Sequence, residues 1–201
     1  KISRNQQRAV RVHGPVISVG NLAVGGTGKS PFVRLLVGWL KEAGHQPAIA
    51  MRGYGATNPS EADEVQEHRL ACPDVPVLAG PDRAFEIQKA QSEGVPFDCV
   101  VLDDGFQHTQ LARDLDVVLV DGTRPPLRTS TLPAGWLREP AKGLQRADAW
   151  VISGPMHEED QLATGKLAGQ PALAQFAAVW QSVHTPQGEE ASVRGKRCVV
   201  T

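Results

Sequence analysis

"GNLAVGGTGKSP", Gly20 to Pro31, decides how the rest of the chain is read. It nearly matches the phosphate-binding pattern G-x-x-x-x-G-K-[ST], with Gly28, Lys29 and Ser30 in place. Counting back from Gly28, the first glycine of the pattern falls on Ala23. The stretch follows an apolar run, "PVISVG" (15–20), and opens a run in which Phe32, Leu35, Leu36 and Trp39 recur at i, i+3, i+4 and i+7. Strand, glycine-rich turn and amphipathic helix form the context a phosphate loop requires. Gly25, Gly26 and Gly28, with Thr27 between them, let backbone N–H groups turn inward on a phosphate without Cβ clashes. Lys29 would neutralise the β- and γ-phosphates, and Ser30 would offer its hydroxyl to Mg²⁺.

Outward from this stretch, β-branched apolar runs recur at 46–51, 75–80, 97–104, 115–121, 147–153 and 175–180. They lack in/out alternation, as strands covered on both faces do. Helix-like stretches lie at 29–43, 81–93 and 158–168. Strands alternating with helices imply right-handed crossovers and an α/β fold: a P-loop NTPase-like, mostly parallel, doubly wound sheet flanked by helices. Ligands of such sheets bind outside the carboxyl ends of the strands. The polar clusters fall there: "RGYG" after the second run, "DDGFQH" after the fourth and "DGTRP" after the fifth.

A chain of 201 residues suits one domain with a sizeable core. A net charge of −1 gives no whole-molecule pull toward nucleic acid or anionic lipid, and no nucleic-acid partner is expected. Cys72, Cys99 and Cys198 are odd in number, far apart and flanked by apolar residues. They read as small buried thiols rather than a zinc knuckle or a disulfide framework. The first residue is Lys1, and "RGKRCVVT" ends the chain where an apolar strand would begin, so a piece of a longer protein is expected.

"VVLDDGFQH" delivers Asp103 and Asp104 at a strand end, a Walker-B-like arrangement for holding Mg²⁺ or its water. Gln107 and His108 follow into the same region. Arg52 before Gly53 and Tyr54 between Gly53 and Gly55 suggest a close-packed turn with a guanidinium and a phenol near the ligand. Asp63 and Glu64 read as a loop pair, either solvated acids or the carboxylate that a hydroxyl acceptor needs as proton acceptor. Arg83 falls at a helix start, where the dipole does not favour a cation, and this hints at an anionic partner. The segment 122–146 is long, proline-rich and carries five arginines and lysines, a pattern of functional loops.

Taken together, these segments resemble the tetraacyldisaccharide 4′-kinase family, the lipid A 4′-kinases of Gram-negative bacteria. The likeness runs in order through "GNLAVGGTGKSP", "RGYG", Asp63-Glu64, Asp82-Arg83, "DDGFQH" with "RDLDVVLVD", and "LPAGWLREP". It implies a P-loop kinase core over 1–201 without the family's C-terminal part, and transfer of the ATP γ-phosphoryl, with Mg²⁺, to the 4′-hydroxyl of a lipid A disaccharide precursor. The implied place is the cytoplasmic face of the inner membrane, with the glycolipid as partner and membrane contact through segments outside these residues. Residue by residue, Lys29 and Ser30 would grip phosphates and metal, Asp63 would be the base with Glu64 beside it, and Asp103 and Asp104 would face the metal. Arg52, Tyr54, Arg83, Gln107 and His108 would line the site, while Arg138 and Glu139 would bring a phosphate-facing cation and a metal-facing carboxylate. The family tolerates a small residue at the position of Ala23. It usually has proline at Val65, and it pairs the aspartate with a histidine further downstream.

Two other readings fit a phosphate loop. A partitioning ATPase or nucleotide switch commonly has a lysine at the position of Val24, which counts against it here. A kinase for a soluble metabolite fits the same residues.

Overall fold

The computed structural model describes residues 9–53, 62–176, 182–184 and 190–192. Its elements run β1 (Val16–Asn21), α1 (Lys29–Glu42), β2 (Pro47–Met51), α2 (Asp63–Ala71), β3 (Val77–Ala79), α3 (Arg83–Ser92), β4 (Cys99–Asp103), β5 (Leu115–Asp121), β6 (Ala149–Ser153), α4 (Glu158–Ala168) and β7 (Ala174–Phe176). A separate antiparallel pair, β8 (Ser182–His184) with β9 (Glu190–Ser192), was not anticipated from sequence.

β1 to β7 form one sheet in the order β3-β2-β4-β1-β5-β6-β7, every pairing parallel. β2 and β4 are buried at every position, which explains their lack of alternation. On one face, Val33 and Val37 of α1 pack with Val19, Ile49 and Val101. On the other, Ala84 and Ile87 of α3 pack with Val16, Val100 and Leu102. Each fully buried Ile or Leu here contributes about 1.5–3 kcal/mol by leaving water. No helix among the described residues is long and apolar enough to cross a membrane.

The chain order places the site. From β1 it moves outward on one side through β2 and β3, returns to β4, then crosses to β5 on the other side. The register pairs Val19 with Asp103, so the phosphate loop and the acidic strand end leave the sheet side by side. The N–H of Gly105 donates to Val19 O at 3.0 Å and ties the two together.

The sequence expectation of three helices omitted α2. Its buried stripe is Val65 and His68, with half-buried Cys72 beyond its end, while Leu70 is exposed. A histidine in the stripe and a leucine outside it erase the apolar period on which the helix would have been recognised.

Candidate active site

The phosphate loop keeps the shape its glycines suggest. Gly25 (φ 98°) and Gly28 (φ 77°) occupy the left-handed region, and Gly28 caps α1 without a side-chain bond. Gly25 and Gly26 are exposed with open space where a Cβ would stand, so the backbone N–H groups there can approach a ligand. Thr27 is buried, and its Oγ1 accepts a hydrogen bond from Asn21 Nδ2 at 2.9 Å. Ala23 needs no glycine because it is not in the left-handed region. It forms an antiparallel bridge with Leu137 and packs beside Leu22, Phe106 and Leu137.

That bridge brings the distant "LREP" segment onto the loop. The N–H of Val24 donates to Trp136 O at 2.8 Å, and the N–H of Arg138 to Leu22 O at 2.7 Å. Arg138 Nη1 then lies 2.7 Å from Asp104 Oδ2, and Lys29 Nζ lies 3.5 Å from Asp104 Oδ1. Asp104 holds φ 54°, the one non-glycine in the left-handed region among the described residues. Such strain is found where a functional side chain must be aimed, and aspartate tolerates it better than most residues. Burial works against the Asp104 charge, but Lys29 and Arg138 outweigh it and hold its carboxyl below the usual range.

Asp103 is buried, and its Oδ2 lies 2.8 Å from Nε2 of the fully buried His68. Asp63 and Glu64 form the exposed first turn of α2, not the loop expected, and their charges complement the helix dipole there. Partial burial, then the charges of Asp103 and Asp104, push the Glu64 carboxyl up, while Lys29 pulls it down. Glu64 therefore shares one electrostatic neighbourhood with the phosphate loop and the acidic strand end.

Arg83 is placed differently from its sequence reading. It is 6% exposed and reaches the carbonyls of Asp103 and Asp104 at 3.5 and 3.4 Å. These carbonyls give the cation at this helix start an internal partner. His108 is half-buried, and its imidazole is held below its usual range by burial first and then by Arg83, Arg113 and Arg52. Arg52 is exposed just beyond β2, and Tyr54 lies outside the described residues.

Glu139, expected to face the metal, is engaged by donors of the protein itself. Arg146 donates to both of its oxygens, at 2.7 and 2.9 Å, and Gln107 Nε2 donates to Oε1 at 3.0 Å. Gly143 makes room for this, since a Cβ there would stand 2.5 Å from Glu139 Oε2. Gln107 Nε2 also donates to Asn21 O at 2.7 Å, so Glu139 serves to orient Gln107 against the end of β1.

Four contributors escaped the sequence reading: Asn21, His68, Arg113 and Arg146. Arg113 faces the buried Asp116 at 3.1 Å and donates to the carbonyls of Gly105, Phe106 and His108, clamping the turn after Asp104 from beneath. It belongs to "RDLD", which was visible as a motif but without a role. Asn21 stands directly before the glycine turn, where a side-chain amide can pin it.

Among the described residues no three His, Cys, Asp or Glu side chains form a metal cage. Mg²⁺ in a phosphoryl-transfer site does not need one, because one or two carboxylates, a hydroxyl, phosphates and waters complete its shell. Ser30 and Asp104 offer that donor set: Asp104 Oδ1 is buried and accepts no hydrogen bond, with only the Lys29 ammonium facing it at 3.5 Å. The residues fit the metal. A separate cleft of about 560 Å³ along α4, lined in part by Glu158, Leu162 and Lys166, includes none of the site residues.

Comparison with known proteins gives the family and the fold. The family described as tetraacyldisaccharide-1-P 4′-kinase matches residues 1–201. Tetraacyldisaccharide 4′-kinase of Syntrophus aciditrophicus is 36% identical over 205 residues, covering 89% of this chain and 54% of that protein. The Pseudomonas putida protein of the same name is 38% identical over 170 residues, covering 79% and 51%. The chain thus spans about half the length of these curated relatives. Among solved structures, LpxK from Aquifex aeolicus in complex with ATP superposes with a TM-score of 0.62 at 26% identity, covering 85% of this chain and 73% of that one. The hydrogenase maturation factor HypB of Archaeoglobus fulgidus, at 14% identity and a TM-score of 0.53, shares the fold alone.

Proposed function

Because the chain belongs to the tetraacyldisaccharide-1-P 4′-kinase family, we propose that it supplies the nucleotide-binding half of an ATP-dependent kinase. The acceptor is the 4′-hydroxyl of a tetraacyldisaccharide 1-phosphate, a lipid A precursor, met at the cytoplasmic face of the inner membrane. The observation that carries this reading is the meeting of Lys29 and Arg138 on Asp104, beside the N-terminus of α1.

In this reading the phosphate loop binds the triphosphate through its backbone N–H groups and the dipole of α1. Lys29 neutralises charge on the β- and γ-phosphates. Arg138, fixed by its own N–H to Leu22 O, faces the transferring phosphoryl and stabilises the charge that builds on its oxygens. Ser30 and Asp104 would hold Mg²⁺, which would offset the charge of the phosphate oxygens. Asp63 accepts the proton of the acceptor hydroxyl, with Glu64 one position along the helix. Arg83 and Arg113 hold the turn after β4 in place from within.

The test is transfer of label from γ-³²P-ATP to a tetraacylated disaccharide 1-phosphate by the full-length protein, with Asp63→Ala beside it. Labelled lipid from the wild type and a large loss in the variant support the reading. ATP turnover without labelled lipid favours a nucleotide switch or a soluble acceptor. Unchanged transfer by Asp63→Ala removes Asp63 from its role.

A further inference from the structure

We propose that His68 is a positioning residue, tying α2 to the end of β4 so that the acidic first turn of the helix and the Asp103 carboxylate hold a fixed place beside the phosphate loop. The inference rests on the kinase reading, which gives that first turn its task.

His68 is fully buried, and its Nε2 lies 2.8 Å from Asp103 Oδ2, on a residue itself 4% exposed. An ionised carboxylate can only accept, so the ring hydrogen stands on Nε2 and is donated to Asp103. Nδ1 is buried and has no hydrogen-bond partner. The ring is sealed from solvent and therefore acts through Asp103 rather than on a substrate.

The helix needs such a tether. α2 has nine residues and no side-chain bond at its N-cap, Ala62. A helix this short is marginal without tertiary contacts. Its apolar anchorage is a small cluster of Met51, Ala62 and Val65. His68 stands one turn beyond Glu64, at i+4, on the buried side of the helix, while Glu64 stays exposed. Fixing His68 against β4 therefore fixes the rotation of the helix about its axis, and with it the direction of Glu64 and of neighbouring Asp63. Without the bond, the buried Asp103 would also lose its donor and turn toward other charges. Misplacement of a reacting group by about 1 Å can cost on the order of 100-fold in rate.

The experiment uses the full-length enzyme with His68→Leu, His68→Gln and His68→Asn. The readouts are kcat for phosphoryl transfer to the lipid acceptor, ATP hydrolysis without acceptor, ATP affinity and thermal melting. Leucine fills similar space without a donor. Glutamine places an amide nitrogen near the position of Nε2, and asparagine falls one methylene short. The expected pattern is a fall in both turnover rates of about 10- to 100-fold in His68→Leu, with ATP affinity within about twofold, and recovery of most of the rate in His68→Gln. Where the leucine variant does not fold, His68→Asn should lose rate and His68→Gln keep it. Rates within twofold of wild type in a folded His68→Leu, or equal losses in the Gln and Asn variants, would overturn the proposal. Losses that follow ATP affinity and melting temperature together would show a merely structural role and overturn it as well. A wild type that hydrolyses ATP but labels no lipid refutes the acceptor assignment instead, and the hydrolysis rates still decide the case of His68.

Discussion

Arg138 Nη1 donates to Asp104 Oδ2 at 2.7 Å across 34 residues of chain. The contact exists because residues 136–138 hydrogen-bond along the start of the phosphate loop. It brings a guanidinium, with its rigid fork of donors, to the place where a phosphoryl group would gather charge. Arg138→Ala should lower kcat for transfer by about 10²–10³-fold, the scale of losing one preorganised donor to a transition state. Arg138→Lys should recover little, since an ammonium lacks the fork. Steady-state kinetics at saturating ATP check both. An Arg138→Ala enzyme within threefold of wild type would remove the residue from the mechanism.

Asp104→Asn is the informative change on the other side of that pair. Asparagine also tolerates the left-handed backbone of Asp104, so the fold should survive while the partner of Lys29 and Arg138 loses its charge. Turnover should fall by on the order of 10²-fold or more, and raising Mg²⁺ should not restore it fully. Mg²⁺ titrations of the rate, with circular dichroism as the folding control, test this.

A steric prediction concerns Gly20. A Cβ there would stand 2.5 Å from Phe106 Cβ and 2.7 Å from the Phe106 N, and Phe106 is fully buried. Backbone cannot yield cheaply, so Gly20→Ala should lose about 1–3 kcal/mol of stability. The shift of Phe106 should also disturb Gln107, its neighbour in the site. Urea unfolding measures the first effect and ATP affinity the second.

The sheet was legible because its strands are short, β-branched and bounded by turn residues, and the phosphate loop because glycine has few uses at that density. Lys29 and Asp104 could be named from type and order, and Arg138 from the family resemblance. What they touch could not. The resemblance gave Glu139 a metal-facing carboxylate, but that Arg146 and Gln107 donate to its oxygens depends on the fold of a long loop. Arg83 looked misplaced at a helix start until the β4 carbonyls appeared opposite it. His68 was invisible because it occupies an apolar position in a helix too short to show a period.

Arg113 and Asp116 form a buried ion pair at 3.1 Å, with side chains 4% and 3% exposed. Removing one partner of such a pair costs about 3–5 kcal/mol because the other charge stays buried. Arg113→Met should show that loss at neutral pH. Burial, with Asp148 adding to it, already pushes the Asp116 carboxyl up, while Arg113 pulls it down. Without Arg113 it should rise further. A carboxyl raised in the folded state favours folding as pH falls, since the native protein then takes up the proton more readily than the unfolded chain. The deficit of Arg113→Met relative to wild type should therefore shrink between pH 7 and pH 5. Parallel urea titrations measure it, and a deficit that grows on acidification would contradict the assignment.

Cys99 begins β4 and is buried, and burial together with the Asp98 carboxylate raises its thiol from 9.0 to about 12. The native thiol should resist alkylation at pH 8.5, since the thiolate is the reactive form and is almost absent. Site-resolved mass spectrometry after iodoacetamide treatment should find Cys99 modified only once the protein is unfolded. The sign of the linked stability change follows. Below about pH 9 both folded and unfolded thiols keep their proton, and stability does not depend on this group. Between 9 and 12 the unfolded chain loses the proton first, so stability falls as pH rises. Cys99→Ala removes that component, and its stability should decline less steeply than wild type over the same interval. Other groups titrate there too, so the comparison is of slopes measured side by side. Equal slopes would mean that the Cys99 thiol ionises as readily in the fold as outside it.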